Sequence, residues 1–176
     1  MRRFAFGCAA VLMAAALVGA AEKGMEREKK SSEAAAGLDK LKTLLGEWEA
    51  KLDDGSTARA SYKVVSAGSC VLETLNPHGA DDVDMVTVYH LDGDRVMLTH
   101  FCAANNQPRM RAEPPPGDIK KLSFEFVDAT NLSSPNEGHM HSLVLTFVDD
   151  QHFTQDWTYY ENGKPTDTAT FRFHRK

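Results

Sequence analysis

The sequence has no surplus of basic residues. Its 176 residues include 20 lysines and arginines against 25 aspartates and glutamates, for a formal net charge of -5 at pH 7. Binding to nucleic acid requires a concentrated basic face, because the phosphate backbone supplies most of the attraction. We therefore expect no nucleic-acid partner.

Cysteine is also scarce, with only Cys8, Cys70 and Cys102 in the whole chain. The strand layout described below places Cys70 and Cys102 at opposite ends of the fold, about 20 Å apart at ~3.3 Å of rise per residue. A disulfide tolerates no more than ~7 Å between its two Cα atoms. We expect both cysteines to be unbridged, although an oxidising compartment favours pairing.

Only one apolar run is present, and it opens the chain as MRRFAFGCAAVLMAAALVGAAEKG. Two arginines, a short apolar stretch and a closing Val18-Gly19-Ala20 are typical of a signal peptide, residues 1–20, cleaved after Ala20. The run is short for a membrane span of about 20 residues; a retained anchor is the alternative. The sequence thus predicts a secreted or periplasmic protein whose charge falls from -5 to -7, since Arg2 and Arg3 leave with the peptide.

Helical periodicity is nearly absent from the rest of the chain. Residues 21–36 are charged and poor in large apolar side chains, which predicts a flexible tether, disordered or loosely helical. LDKLKTLLGEW then places four leucines on one face of a short amphipathic helix, which Gly46 ends. No helical pattern follows, so residues 37–176 form a single β domain.

Alternating apolar and polar residues, with turn signals every eight to twelve positions, predict an all-β meander. The expected strands are ten: 46–53, 57–65, 70–76, 83–91, 95–102, 109–113, 121–128, 139–148, 152–161 and 164–174. An even number of antiparallel strands can close without leaving an edge. We predict an antiparallel up-and-down β-barrel with the N-terminal helix at its closed end.

Turn lengths predict the register of each hairpin. A type I′ turn at Asn162-Gly163 pairs Phe153 with Arg172 and turns Arg172 inward, together with Thr168 and Thr170. A three-residue turn at 149–151 pairs His141 with Tyr159, and a two-residue turn at 92–93 pairs Thr87 with Leu98. The first hairpin pairs Trp48 with Tyr62.

Because strand directions alternate, the longest and most polar loops gather at one end of the barrel, which we call the mouth. Inward positions near it carry polar side chains mixed with apolar ones, which indicates a wet or ligand-filled cavity. A solid core in which the threonines bond to backbone is the alternative. The candidate ligand-binding residues are Met85, Thr87, Tyr89, Leu98, His100, Cys102, Arg109, His139, His141, Gln155, Trp157 and Tyr159.

Gly46-Glu47-Trp48, behind a short helix, resembles the Gly-x-Trp that opens the first strand of the calycin superfamily, meaning lipocalins, fatty-acid-binding proteins and nitrobindin-like barrels. The resemblance implies an arginine of the last strand that packs across Trp48, and Arg172 is the match. It implies a small-molecule-binding barrel. Nitrobindin-like proteins bind haem through a late histidine, but His174 would lie at the closed end, so this ligand is not carried over.

His139-Met140-His141 places two imidazoles on one side of a strand, a spacing that can chelate zinc or a similar metal if His100 or Cys102 supplies a third ligand. The alternative is a pair of histidines bonded to loop carbonyls. Haem ligation by one of them is a further alternative. Cys102 next to His100 is not expected to be a catalytic nucleophile, since residues two apart on a strand lie roughly 7 Å apart at the backbone.

The stretch HFCAANNQPRMR concentrates hydrogen-bonding side chains at the mouth. These groups either hold neighbouring loops together or hold a ligand, with Arg109 or Arg111 meeting a carboxylate.

We therefore predict an exported protein that binds a small, mainly apolar molecule with one polar end. A metal- or haem-dependent enzyme and an interaction domain of the cell envelope are the alternatives.

Overall fold

The protein is described from a computed structural model. The backbone is described for residues 9–79 and 84–176, and side chains from residue 22 onward within those ranges. The predicted signal peptide therefore lies largely outside the described side chains, as does Cys8.

Ten antiparallel strands form a closed barrel in which each strand pairs with its neighbours in sequence and the last pairs with the first. The strands are β1 (Gly46–Lys51), β2 (Thr57–Val65), β3 (Cys70–Asn76), β4 (Met85–Asp92), β5 (Arg95–Phe101), β6 (Gln107–Ala112), β7 (Lys121–Thr130), β8 (His139–Asp149), β9 (His152–Glu161) and β10 (Lys164–Arg175). The predicted fold class is confirmed, and most predicted strand bounds agree within two residues.

One α-helix, α1 (Ala9–Lys42), precedes the barrel and is much longer than the predicted short helix. It runs through the segment that we predicted to be a tether. Its charged part is largely exposed and carries the ion pairs Glu26–Lys30 and Lys29–Glu33. Pairs of this i,i+4 kind support an exposed helix. Among the described residues, no helix has both the length and the apolar character that crossing a bilayer requires.

The C-terminal part of α1 covers the closed end of the barrel. Ala34, Leu38, Leu41 and Leu44 are buried there, and a Cβ added to Gly37 would collide with the ring of Pro114. The helix ends at Lys42, before Gly46, which instead begins β1 with a φ of +115°. Gly46 therefore turns the chain into the barrel rather than capping the helix.

Large aromatic side chains fill the closed half of the barrel. Trp48 and Phe153 meet edge to face, with ring centroids 4.7 Å apart, and Phe173 stacks on Phe153 at 5.0 Å. Tyr62 also contacts Phe153 edge to face. These rings form the buried core of the closed half.

Arg175, and not Arg172, is the arginine that packs on Trp48, so the predicted residue is wrong. Its guanidinium carbon lies 4.1 Å from the centroid of the Trp48 ring. It also donates to the carbonyl oxygens of Leu45 at 2.7 Å and Thr43 at 3.0 Å, just beyond the end of α1. These carbonyls have no intrahelical partner, so Arg175 joins the last strand to the helix end and the first strand.

Arg172 instead lies exposed on the outer face, because β10 contains a bulge between Pro165 and Asp167. The type I′ turn is confirmed, since Asn162 and Gly163 both have positive φ. Beyond it the register slips by one residue, so that Phe173 pairs with Phe153. A slip of one residue reverses every side chain that follows, which also removes Thr168 and Thr170 from the interior.

Two other registers differ from prediction by two residues, which leaves the faces unchanged. Thr87 pairs with His100 rather than Leu98, because the turn is at Gly93-Asp94. Trp48 pairs with Ala60 rather than Tyr62. Both hairpins therefore present the predicted residues to the interior.

Cys70 and Cys102 are both free thiols, which confirms the prediction for the two cysteines that the structure describes.

We expect Arg175→Ala to lower the free energy of unfolding by about 2 kcal/mol, because it removes charged hydrogen bonds to carbonyls and a cation–π contact. Chemical denaturation measures this. Arg172→Ala is the matched control, and it should change stability by no more than about 0.5 kcal/mol, as an exposed substitution does. The reverse order of the two effects would contradict the corrected register.

Candidate functional site

Towards the mouth, the first and last strands of the barrel do not pair with each other. In the described chain, β1 and β10 pair only at Trp48–Arg175 and Glu49–His174. Continuing that register would set Lys51 directly opposite Arg172 on the outer face, and like charges facing each other across strands are unfavourable. The two strands thus leave a gap beside the mouth.

A cavity of about 500 Å³ lies at this gap and reaches into the mouth half of the barrel. Its walls come from both sides of the gap, from the interior strands and from the loops around the mouth. The residues that line it are Lys51, Leu52, Asp53, Asp54, Leu75, Pro77, His78, Met85, His100, Met140, Trp157, Asp167, Ala169, Thr170, Phe171 and Arg172. The charged members lie at the rim, and the buried members are mostly apolar.

His100 is the buried polar side chain in the wall of this cavity, with 1% of its surface exposed. Its ring lies against Trp157, with ring centroids 4.5 Å apart. Nδ1 is 2.9 Å from the hydroxyl oxygen of Thr87. Nε2 has no hydrogen-bond partner within the described part of the chain, and a buried polar atom left in this state costs free energy unless a ligand or water satisfies it.

Burial lowers the pKa of His100 to about 4, so its imidazole is neutral near pH 7. The Thr87 hydroxyl can either donate to Nδ1 or accept from it. Nε2 is correspondingly a donor or an acceptor, so the imidazole can adopt whichever tautomer a ligand requires.

A fully buried hydrogen-bond network fixes the floor beneath the cavity. Tyr89 donates to Glu73 at 2.6 Å, and the amide nitrogen of Gln155 donates to the other oxygen of Glu73 at 2.5 Å and to Tyr62 at 2.6 Å. The indole N–H of Trp157 donates to Gln155 at 3.0 Å. Trp157, which lies against His100, is therefore held in place by a series of hydrogen bonds that leads through Gln155 to the buried carboxyl group of Glu73.

Glu73 is the important interior residue that the sequence analysis missed. Burial raises its pKa, and hydrogen bonds from Tyr89, Gln155 and Tyr62 oppose that rise. The alternation of β3 did indicate an inward position, because a strand repeats its face every two residues. Glu73 lies two residues from both Val71 and Leu75, which are buried. An isolated glutamate is usually exposed, so its inward position is not expected from residue type.

Among the predicted ligand-binding residues, Met85, His100 and Trp157 line the cavity. Thr87, Tyr89 and Gln155 lie in its supporting shell, while Leu98 is fully buried in the core. Cys102 and Tyr159 are half-buried at the mouth, where the Tyr159 hydroxyl packs so closely on Gly138 that no Cβ would fit. Burial raises the pKa of both of these side chains.

Arg109 does not face the interior and does not line the mouth cavity, so the structure does not bring it to the other predicted ligand-binding residues. It lies on the outer face of β6, where it forms an exposed ion pair with Asp128 of β7. The hydrogen bond from Arg109 lowers the pKa of the Asp128 carboxyl. Both charges are already paired with each other.

The predicted metal triad is also not assembled, because a bulge at His141 rotates the two mouth histidines away from His100. His139 pairs with Tyr160, on the side of β9 opposite to Trp157, and the His141 ring stacks on Tyr160 at 3.8 Å. The two imidazoles contact each other at 3.1 Å beside a separate concavity. Within the described ranges, no three histidine, cysteine or acidic side chains are grouped to hold a metal.

The polar stretch after β5 holds the mouth loops together. Asn106 is fully buried and donates to the Gly138 carbonyl at 2.9 Å, Thr130 donates to Gln107 at 2.7 Å, and Asn131 donates to the Asn105 carbonyl. Of the two alternatives left open by the sequence, these bonds favour the one in which the polar side chains hold neighbouring loops together.

A smaller concavity of about 300 Å³ lies at the closed end, beside Trp48 and Arg175. The guanidinium there already donates to three backbone carbonyls, those of Thr43, Leu45 and Asp150. None of the residues that line this concavity has a buried polar atom without a hydrogen-bond partner. The mouth cavity, which contains Nε2 of His100 in its wall, is therefore the stronger candidate.

No family model and no curated protein matches the chain. Among solved structures, the fold is similar to the crystal structure of Rv2717c from M. tuberculosis, with a TM-score of 0.53 and 14% sequence identity. The match covers 79% of this chain and 96% of that one. At this identity the likeness supports the barrel fold alone.

The buried His100 makes stability depend on pH. Its folded-state pKa of about 4 lies below the unfolded value of about 6.5. Between these values the unfolded chain binds the extra proton, so acidification favours unfolding. We expect His100 to lower the free energy of unfolding by about 3 kcal/mol as the pH falls from 7 to 4, at about 1.4 kcal/mol per pKa unit.

His100→Gln removes this titration and leaves the acidic residues unchanged. The stability of the wild type minus that of the variant, measured by urea denaturation at several pH values, should therefore decrease by about 3 kcal/mol between pH 7 and pH 4. A constant difference across that range would contradict a buried neutral imidazole.

Proposed function

We propose that the protein is an exported carrier of a small, mainly apolar molecule, which it holds in the cavity at the mouth of the barrel. The observation that supports this most directly is the free Nε2 of His100, whose buried neighbours in the cavity wall, such as Trp157 and Met85, are apolar. Few polar groups in an apolar concavity are typical of small-molecule sites.

The size of the cavity fits this proposal. A volume of about 500 Å³ is within the range of roughly 300 to 1,000 Å³ found for ligand pockets. Burying about 300 Å² of apolar ligand surface would contribute about 7.5 kcal/mol at roughly 25 cal/mol per Å². Part of this is lost to the entropy of association, so we expect dissociation constants in the micromolar range or weaker.

Membership of the calycin superfamily and export remain part of the proposal. The first is supported by the helix that leads into Gly46 and Trp48, and by the contact of a last-strand arginine, Arg175, with that tryptophan. Export is supported by the layout of residues 1–20, with two arginines, an apolar run and small closing residues.

The two alternatives have less support. A metal-dependent enzyme required His100, His139 and His141 to converge, and they occupy two separate concavities. Haem bound through His174 would need that side chain inside, whereas it is exposed on β10 beside Glu49. An envelope interaction domain would leave the buried Nε2 of His100 without a role.

We expect the neutral dye N-phenyl-1-naphthylamine to bind with a micromolar dissociation constant and to quench Trp157, which lines the cavity. Ala169→Phe fills the cavity from β10 and should weaken binding by about tenfold or more. Fluorescence titration measures both effects.

Ala129→Phe is the matched control, since Ala129 is also half-buried and lines the outer concavity beside His139 and His141. It should leave the affinity for the dye within about twofold of the wild type. Thermal unfolding verifies that both variants fold. A folded wild type that does not bind the dye, or one that loses binding only with Ala129→Phe, would contradict the proposed site.

A further inference from the structure

The polar contact inside the cavity can be assigned a chemical class of ligand. This step rests on the proposed function, because it concerns the part of the bound molecule that would reach His100. Three features of the site decide it: the hydrogen-bonding state of the imidazole, the charges within reach of it, and the distribution of charge along the cavity wall.

The imidazole has one free nitrogen and no charged partner. Nδ1 is engaged by the Thr87 hydroxyl at 2.9 Å, and one face of the ring lies against Trp157. The Thr87 hydroxyl is able to donate or accept, so Nε2 can accept from a ligand hydroxyl or donate to a ligand carbonyl.

The floor of the cavity also offers nothing to balance a ligand charge. The buried carboxyl group of Glu73 is bonded to Tyr89 and Gln155 and does not line the cavity. The other deep walls are apolar. A carboxylate or ammonium group placed beside His100 would be a buried and unpaired charge, which costs several kcal/mol more than a neutral polar group in the same place.

Charged side chains of the wall are confined to the rim. Lys51 and Arg172 border the gap between β1 and β10, and Asp53, Asp54 and Asp167 border the mouth. All five are largely or partly exposed to solvent, so any ionised part of a ligand is better solvated there than beside His100.

We propose that the protein selects molecules whose buried end is uncharged and carries one hydroxyl or carbonyl group, which hydrogen-bonds to Nε2 of His100. The apolar body of the ligand lies against Trp157, Met85 and Phe171. Simple alcohols and ketones with a medium-length alkyl chain are the smallest molecules that carry these features.

The test is displacement of N-phenyl-1-naphthylamine by four molecules of matched chain length, namely 1-octanol, 2-octanone, octanoate and octylammonium, at pH 7. We expect 1-octanol and 2-octanone to displace the dye at concentrations at least fivefold lower than octanoate and octylammonium do. His100→Phe keeps a ring against Trp157 and removes both nitrogens. It should raise the concentrations of 1-octanol and 2-octanone that displace the dye by about fivefold, because their hydrogen bond to Nε2 is lost.

His90→Phe is the matched control, because His90 is on the outer side of β4 and its Nδ1 is bonded only to the neighbouring Leu91 carbonyl. It should leave the displacing concentrations of all four molecules within about twofold of the wild type. If His100→Phe does not fold, the wild-type series alone decides, since octanoate displacing the dye as well as 1-octanol would overturn the inference. So would a folded His100→Phe variant from which 1-octanol and 2-octanone displaced the dye at the wild-type concentrations. In either case, dye binding by the wild type would leave the proposed carrier function intact, whereas failure of the dye to bind would remove both.

Discussion

Closure of the barrel depends on one short seam between β1 and β10. Only two residue pairs join these strands, and the Arg175 side chain reinforces the seam by packing on Trp48 and donating to carbonyls at the end of α1. This arrangement satisfies carbonyls that a helix end leaves free. Because the seam is short, the same two strands separate towards the mouth, and the cavity opens where they separate.

The interior is divided by how its polar groups are satisfied. In the closed half, Trp48 and Tyr62 pack edge to face on Phe153, and Phe173 stacks on the same ring. In the middle, Glu73 and Gln155 satisfy each other and support the indole of Trp157. Among the described residues, three buried polar atoms lack a hydrogen-bond partner, namely Nε2 of His100 and the side-chain oxygens of Ser56 and Asn106. Of these three residues, His100 is the one that lines the mouth cavity. A rigid, satisfied floor beneath one free hydrogen-bonding atom is an arrangement suited to orienting a bound molecule.

The number of strands, the closed barrel and most inward faces were predictable from the sequence, because the two-residue alternation of a strand is insensitive to register errors of two. The bulges were not predictable in the same way. One extra residue near Pro165 turned Arg172 outward, and another at His141 turned that imidazole away from His100. Each bulge follows from tertiary geometry rather than from an alternation that can be read in the sequence. Arg109 was predicted to belong to the mouth loop, whereas β6 already begins at Gln107 and the ion pair of Arg109 with Asp128 lies on the outer face.

The central claim is that a ligand in the mouth cavity bonds to Nε2 of His100. Nitrogen-15 NMR of the histidine side chains measures this atom directly, with 1-octanol added to the uniformly labelled protein. The account predicts that the Nε2 resonance of His100 shifts with saturation, while the resonances of His139 and His141 keep their positions. A saturating ligand that leaves the His100 resonance unchanged, or that shifts only the outer pair, would contradict it.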